Sequence, residues 1–275
     1  MRAAVVGHVE WIEFVPVERV PRAGEIIGAD ESWAEAAGGG AVASVQFSKL
    51  ADSVHFFTAL GADELGRRAK AELEGRGIEV HATFVDQPQR KGFTYLDEGG
   101  ERTITVIGTK LGPRGNDVSL PWFELSRCDA VYFCAGDADA LRNARRARAL
   151  VATARELGTL ERGAVELDAL VGSGNDEAEV YRHGDLDPAP KLVVTTSGAL
   201  GGWAQPSGPF TAAPLDAPFV DAYGAGDCFA AGLAFALAAG LEVPAALEFA
   251  SRCGAGALTG PGVHAVAVPL ESRAD

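Results

Sequence analysis

Short, mostly apolar runs alternate with segments of helical spacing along much of this 275-residue chain. Such runs, without a regular polar alternation, are typical of strands that are buried on both faces of a parallel sheet. The predicted strands are residues 3–7, 54–60, 130–134, 164–167 and 192–196. Because strands that alternate with helices form parallel sheets covered on both faces, we expect an α/β fold, and the length allows one large domain or two smaller ones.

Two segments break this alternation. Residues 93–96 and 102–107 flank a Gly-rich turn, and the Thr, Ile and Val pattern of the second arm predicts a β-hairpin. Residues 11–17 predict a more exposed strand that ends near prolines. We expect these strands to form a small sheet set apart from the main one.

Residues 138–157 predict one helix, with Leu and small apolar side chains along one side. Its arginines lie elsewhere on the helix, and they are interpreted as a solvated face rather than as an anion site.

Composition limits the class of partner. The formal net charge of −14 argues against nucleic acid or an anionic membrane surface as the main partner. The first ten residues are too short in apolar length for a secretory signal, and no apolar run reaches the roughly 18–20 residues of a membrane span. The four cysteines lack metal-site spacing, so we expect reduced, buried thiols in a cytoplasmic protein.

The segment Val-Asp-Ala-Tyr-Gly-Ala-Gly-Asp, residues 220–227, leads into an apolar run that predicts a buried helix ending near Gly240. Glycines at a helix start let a ligand approach free N–H groups, which together with the helix dipole form an anion site. Asp227 would be a poor choice for binding phosphate alone. It suits a base that takes a proton from a hydroxyl while the amides hold the phosphoryl group. The structural alternative is an ordinary loop with Asp227 as a helix cap.

A second glycine-rich turn, residues 37–44, precedes another predicted helix at residues 45–51. Several features then stand in one order that resembles the ribokinase-like (PfkB-type) sugar kinases. They are Gly39-Gly40-Ala41-Val42-Ala43-Ser44, the Gly-Ala-Asp-Glu-Leu-Gly turn at residues 61–66, the hairpin, Thr-Thr-Ser-Gly-Ala-Leu-Gly at residues 195–201, and residues 221–227. The resemblance covers about residues 4–270 in one register.

This resemblance implies a single domain over residues 1–275, with a mostly parallel central sheet, helices on both faces and a β-sheet lid from about residues 10–35 and 81–108. It implies ATP-dependent phosphorylation of an alcohol on a sugar-like molecule, with Mg²⁺ and in some members a monovalent cation such as K⁺. The implied site residues are Asp227 as catalytic base, Gly224, Ala225 and Gly226 as anion hole, Thr196, Gly198 and Gly201 as ATP turn, Gly39 and Gly40 as substrate turn, and Asp221 as monovalent-cation ligand.

The chain departs from the family pattern on the acceptor side. Ser44 stands where the family usually has Asn, so its substrate contact must differ. Ile12 occupies the expected place of a sugar-binding Asp, and either Glu10 or Glu13 could substitute for it.

Two further departures lie near the predicted metal site and the anion hole. Asp176-x-x-Glu179 replaces the family's Asn-x-x-Glu, which helps to organise Mg²⁺, and a surface acidic loop is the alternative reading. Ala222 replaces the usual Thr.

Two classes of function follow from the sequence. The first is an active small-molecule kinase with Asp227 as general base and Glu10, Gly39, Gly40 and Ser44 near its acceptor. The second is a non-catalytic protein that senses a sugar or nucleoside on the same fold. An intact Asp227 favours the kinase. The resemblance also implies a homodimer through the lid, since an open hairpin leaves an edge to cover.

Overall fold

The computed structural model describes residues 1–270. The strands are β1 (Arg2–Val6), β2 (Glu10–Pro16), β3 (Trp33–Ala37), β4 (Ser53–Gly61), β5 (Glu79–Val85), β6 (Lys91–Leu96), β7 (Arg102–Ile107), β8 (Ala130–Phe133), β9 (Ala149–Thr153), β10 (Ala169–Ser173), β11 (Val193–Thr196), β12 (Gly202–Gln205) and β13 (Gly208–Phe210). The α-helices are α1 (Gly39–Ser48), α2 (Glu64–Gly75), α3 (Ala138–Ala144), α4 (Leu157–Gly163), α5 (Ala225–Ala238) and α6 (Val243–Ala257).

The main sheet has nine strands in the order β13-β12-β11-β10-β9-β8-β1-β4-β5. Every neighbouring pair from β11 to β5 is parallel, and β12 and β13 add an antiparallel edge. This mostly parallel α/β sheet confirms the predicted fold class. Parallel strands place all their carboxyl ends at one edge of the sheet, and such edges hold the ligand sites of α/β proteins.

Helices cover both faces of the sheet. Alternate residues of β1 divide between two apolar clusters, with Ala3 and Val5 in one and Ala4 and Val6 in the other. The first cluster includes side chains of α1, α2, α5 and α6, and the second includes side chains of α3 and α4. None of the helices within residues 1–270 is long and apolar enough to cross a membrane.

A second, four-stranded sheet has the order β3-β2-β6-β7, and it contains the predicted hairpin. The hairpin pairs Phe93 with Thr105 and Leu96 with Arg102 in antiparallel register. We call this sheet the lid. The second lid segment was predicted to begin at residue 81, but it begins with β6, because β5 pairs with β4 in the main sheet.

The predicted helix over residues 138–157 is wrong. Helix α3 ends at Ala144, and Ala149–Thr153 forms β9 between β8 and β10. A five-residue apolar run is compatible with a buried strand or a buried helix, and here pairing on both sides decides for the strand. Arg145 binds Asp168 at 2.7 Å and Arg148 binds Asp129 at 3.2 Å, so these arginines hold connections of the fold.

The strand predicted at residues 164–167 is also misplaced. Ala164 ends α4 in the left-handed region with φ 48°, and the pairing strand is Ala169–Ser173. The helix predicted at residues 45–51 begins six residues earlier, so its glycines form the first turn of α1.

Candidate active site

Two helix starts meet at the carboxyl edge of the main sheet. Helix α5 follows Gly224, whose φ of 78° is a left-handed conformation that glycine adopts without strain. Asp227 therefore lies in the first turn of α5, with Ala225 and Gly226 before it. Their N–H groups have no partner within the helix, and they carry the positive end of its dipole.

Helix α1 begins directly against this carboxylate. A methyl group added at Gly39 would lie 2.8 Å from Oδ1 of Asp227, closer than a carbon and an oxygen approach without displacement. At Gly40, an added methyl would lie 2.6 Å from the carbonyl oxygen of His8. The structure thus places Gly39 of the predicted substrate turn against the predicted catalytic residue, and packs Gly40 against the backbone that follows β1; neither position leaves room for a side chain.

The environment of Asp227 combines opposing effects on its ionisation. Burial raises the pKa of its carboxyl group above the usual value. The hydroxyl group of Tyr132 donates a hydrogen bond of 3.0 Å to Oδ1, which favours the carboxylate, and the negative charge of Glu179 opposes it. Arg102 and Arg155 add positive charge that favours ionisation.

The lid touches the loop that leads to Asp227. The amide of Ala222 donates to the carbonyl of Gly100 in the hairpin turn at 3.1 Å, and the side chain of Arg102 donates to the carbonyl of Ala222. These contacts place the hairpin turn over the segment that carries the predicted anion hole.

Of the two acidic residues left open on β2, Glu10 faces the site. Its carboxylate is buried, lies 3.0 Å from Nε of Arg90, and is within the electric field of Asp227. Burial is the largest cause of its raised pKa, and Arg90 acts against it. Glu13 is exposed and accepts a hydrogen bond from Ser32, while Ile12 is fully buried in the core.

Ser44 lies within α1, one turn after Gly40. Its side chain is fully buried, and its hydroxyl group donates to the carbonyl of Gly40 at 2.7 Å. This bond satisfies the hydroxyl within the helix, so a substrate contact at Ser44 stays a prediction from the resemblance alone.

The predicted ATP turn follows β11. Thr196 is its last residue, Gly198 begins a short 3₁₀ helix with φ 58°, and Gly201 closes the turn with φ 85°. An added methyl at Gly198 would meet no atom within 4 Å, so its backbone is open to a ligand. Leu200 projects from this turn and is 86% exposed.

The predicted metal-site carboxylates are already engaged. One oxygen of Glu179 accepts from the amide of Ser173 at 2.9 Å, and the other pairs with Arg155. Asp176 also binds Arg155, at 2.6 Å. An ion bound directly by Glu179 would compete with this guanidinium.

Asp221 joins two loops. Its carboxylate accepts from the amide of Tyr223 at 2.7 Å and from the amide of Gly262 at 2.8 Å. The side chain is almost fully buried, and burial raises its pKa. The residue therefore connects the loop before α5 to the turn after α6.

Sequence reasoning missed several residues at this edge. Tyr132 lies near the end of β8 inside an apolar run, and its hydroxyl group alone distinguished it from the core residues around it. His8 directly follows the β1 strand and its glycine, a place where polar side chains often serve a site. Arg90 and Lys110 flank the lid strands and act electrostatically on both His8 and Glu10.

A mostly parallel sheet, a small sheet whose hairpin touches the loop before Asp227, and a carboxylate in a glycine-led helix start are features of a ribokinase-like small-molecule kinase. The sequence model of the pfkB family of carbohydrate kinases matches residues 2–156 and 163–269, so the chain belongs to this family and is a carbohydrate kinase.

The chain is also similar to individual kinases in sequence and in fold. The chain is 28% identical to the ATP-dependent ribose-1-phosphate kinase of Halopiger xanaduensis over the full length of both. Its fold is similar to that of Arabidopsis thaliana ribokinase complexed with ribose and ATP, with TM-score 0.69 and 19% identity over 94% of this chain and 93% of that one. It is also similar to adenosine kinase from Sinorhizobium meliloti, with TM-score 0.76 and 16% identity over 95% of each chain.

Proposed function

We propose that this protein transfers the γ-phosphoryl group of ATP to a hydroxyl group of a sugar-like acceptor, with Asp227 as general base. The observation that carries the proposal is the convergence of the α1 and α5 starts on the Asp227 carboxylate. ATP is proposed as donor because the relatives named above include an ATP-dependent kinase and a ribokinase structure with ATP.

The proposed reaction needs alignment, charge stabilisation and a proton acceptor. The acceptor hydroxyl gives its proton to Asp227 as its oxygen bonds to the γ-phosphorus, and the bond from that phosphorus to the bridging oxygen of ADP breaks. The amides of Gly224, Ala225 and Gly226 stabilise the negative charge of the group in transfer. The lid would exclude water, which is a competing acceptor.

The ATP phosphates would lie between the α5 start and the Thr196, Gly198 and Gly201 turn. Mg²⁺, when bound, would neutralise part of the negative charge of the phosphates. Mg²⁺ usually keeps several waters in such sites. Because Glu179 already pairs with Arg155, its carboxylate is suited to orient a water molecule of the ion rather than to bind the ion directly.

Asp221 is proposed as a ligand of a monovalent cation. Each of its oxygens accepts one amide and keeps a further lone pair, so the donor set fits an added cation. A turnover equal in K⁺, Na⁺ and tetramethylammonium salts would remove this part of the proposal.

Positive charge near the acceptor side points to a phosphorylated acceptor such as a pentose phosphate. Arg90 and Lys110 both lower the pKa of His8 after the larger effect of burial, although the whole chain carries −14. Lys110 and Arg114 line a cavity of about 230 Å³ after β8, together with Asp137 and with Glu156, which pairs with Lys110. The relative from Halopiger xanaduensis is named for ribose 1-phosphate, which agrees with this acceptor class.

Turnover of ATP with a panel of sugars, sugar phosphates, nucleosides and sugar acids tests these proposals. We expect ribose 1-phosphate to be preferred to ribose, and Lys110→Gln to reduce that preference. Asp227→Asn keeps the shape of the side chain and removes the base, so turnover should fall by at least about a hundredfold.

The competing function is a non-catalytic sensor of a sugar or nucleoside. It predicts that one member of the panel raises the melting temperature while none is phosphorylated. Near-normal turnover in Asp227→Asn would refute the general-base assignment.

A cytoplasmic location and a homodimer are also proposed. Cys128, Cys134, Cys228 and Cys253 are free and buried, as suits a reducing compartment. Strand β7 is an exposed edge of the lid, and Ile104, Val106 and Ile107 are 38%, 46% and 51% exposed. A second copy would cover this edge.

A further inference from the structure

Tyr132 occupies a central position in the main sheet. Its strand, β8, pairs on both sides, so that Tyr132 lies opposite Val5 of β1 and Val151 of β9. Only 2% of the residue is exposed. A side chain held in this way has little freedom to move, and its hydroxyl group lies where the carboxyl ends of the strands meet the start of α5.

The hydroxyl group donates to Oδ1 of Asp227 at 3.0 Å, across 95 residues of sequence. Among residues 1–270 it is the side chain that hydrogen-bonds to this carboxylate. Gly39 lies on the same side, where its added methyl would also be nearest to Oδ1. Oδ1 is therefore held between a fixed hydroxyl and the start of α1, and Oδ2 is the oxygen left for an acceptor.

The hydroxyl can only act as a neutral donor. Burial and the nearby carboxylate raise the pKa of Tyr132 well above its usual value, so it keeps its proton at working pH. A hydrogen bond to a carboxylate stabilises the ionised form, whereas burial of Asp227 stabilises the protonated form. The base of a kinase has to be ionised when the acceptor binds.

We propose that Tyr132 is the positioning residue of the catalytic base: its hydroxyl group fixes Oδ1 of Asp227, keeps the carboxylate ionised, and leaves Oδ2 to accept the proton of the acceptor. This inference rests on the proposed function of Asp227. Tyr132 does not touch the reacting atoms, and its effect on turnover passes through the carboxylate.

The test is the pH profile of kcat/KM for Tyr132→Phe, because the acid limb of that profile reports the ionisation of the free enzyme's base. Without the hydroxyl group, the acid limb should shift to higher pH by about one unit. The value of kcat/KM should then be about tenfold lower on that limb, and the difference should shrink at higher pH. KM for ATP should change little. Tyr95→Phe, which removes a hydroxyl group in the lid, serves as the matched control and should keep the wild-type profile.

A merely structural role predicts a different result. It would lower the melting temperature and reduce kcat/KM equally at every pH, with the acid limb unmoved, and that outcome overturns the inference. An unchanged profile in Tyr132→Phe overturns it as well. Asp227→Asn measured beside it separates the two proposals: if that variant keeps wild-type turnover, the base assignment fails, whatever Tyr132→Phe does.

Discussion

Gly39 at the start of α1 lies directly against Asp227 at the start of α5. The two residues are far apart in sequence, and an added methyl at Gly39 would come within 2.8 Å of Oδ1 of the carboxylate. Both helices therefore begin at one carboxylate, and the positive ends of their dipoles favour its ionised form.

This contact predicts that Gly39→Ala reduces kcat by about ten- to a hundredfold, because a small displacement of a catalytic group has a large effect on rate. The melting temperature should change little, because alanine favours helix formation and offsets part of the local strain. Gly75→Ala in α2 is the matched control, since its added methyl meets nothing within 4 Å. Wild-type kcat in Gly39→Ala would mean that the carboxylate does not need this position.

Local signals were sufficient to predict the start of α5. Glycines before an apolar run predicted the start of α5, and the structure places Asp227 in its first turn. Tyr132 could not be predicted in the same way, because its partner is 95 residues away and the approach depends on how α5 packs on β8.

Local patterns failed where they fitted two structures. Ala149–Thr153 matches a helical spacing with α3, yet it is a strand because β8 and β10 lie on both sides of it. Alternation along β2 separates Glu10 from Glu13, but only the packing of the lid determines which face meets the site.

Glu10 and Glu13 form a natural pair of test and control. Glu10→Gln removes the charge that pairs with Arg90, so kcat/KM for the acceptor should fall by about tenfold or more while KM for ATP stays nearly constant. Glu13→Gln, on the exposed face, should leave both constants unchanged. Equal effects of the two substitutions on the acceptor would contradict the placement of Glu10 in the acceptor site. Melting temperatures identify any loss that comes from unfolding.

The proposed lid dimer can be tested at β7. Light scattering after gel filtration should give twice the chain mass for the wild type, and the mass of one chain for Val106→Lys, because a charge on an edge strand opposes pairing with a second edge. Val118→Lys is the control, since Val118 is 99% exposed on a loop outside the lid. A wild type that stays monomeric at the highest concentration tested would refute the dimer.

A histidine pair on the neighbouring strands β4 and β5, with His55 buried and His81 partly buried, predicts a pH-dependent stability. Nδ1 of His55 lies 3.0 Å from Nε2 of His81, while the ring centroids are 5.3 Å apart and the planes differ by 9°. The line between the nitrogens thus runs nearly along the line between the rings, which is the geometry of an N–H···N hydrogen bond. A metal ion shared with Glu79 would need the nitrogen lone pairs to converge, so we interpret the pair as structural.

Burial lowers the pKa of both histidines below the usual value, with Arg2 lowering that of His55 further and Lys70 that of His81, against the carboxylates of Glu79 and Glu124. Below about pH 6.5 the unfolded chain therefore binds more protons at these histidines than the folded chain does. The free energy of unfolding then decreases as the pH falls below this value, and the stability that the pair contributes is complete above it.

His81→Gln should reduce the fall in melting temperature between about pH 8 and pH 5.5, by about 2–4 °C for each kcal/mol of this effect. His8, also with a lowered pKa, contributes in the same direction, and the raised pKa values of Glu10, Asp221 and Asp227 contribute in the opposite one. The difference between variant and wild type therefore isolates the pair. His183→Gln, at an exposed position, should keep the wild-type dependence, and an identical dependence in His81→Gln would show that the pair does not titrate with folding.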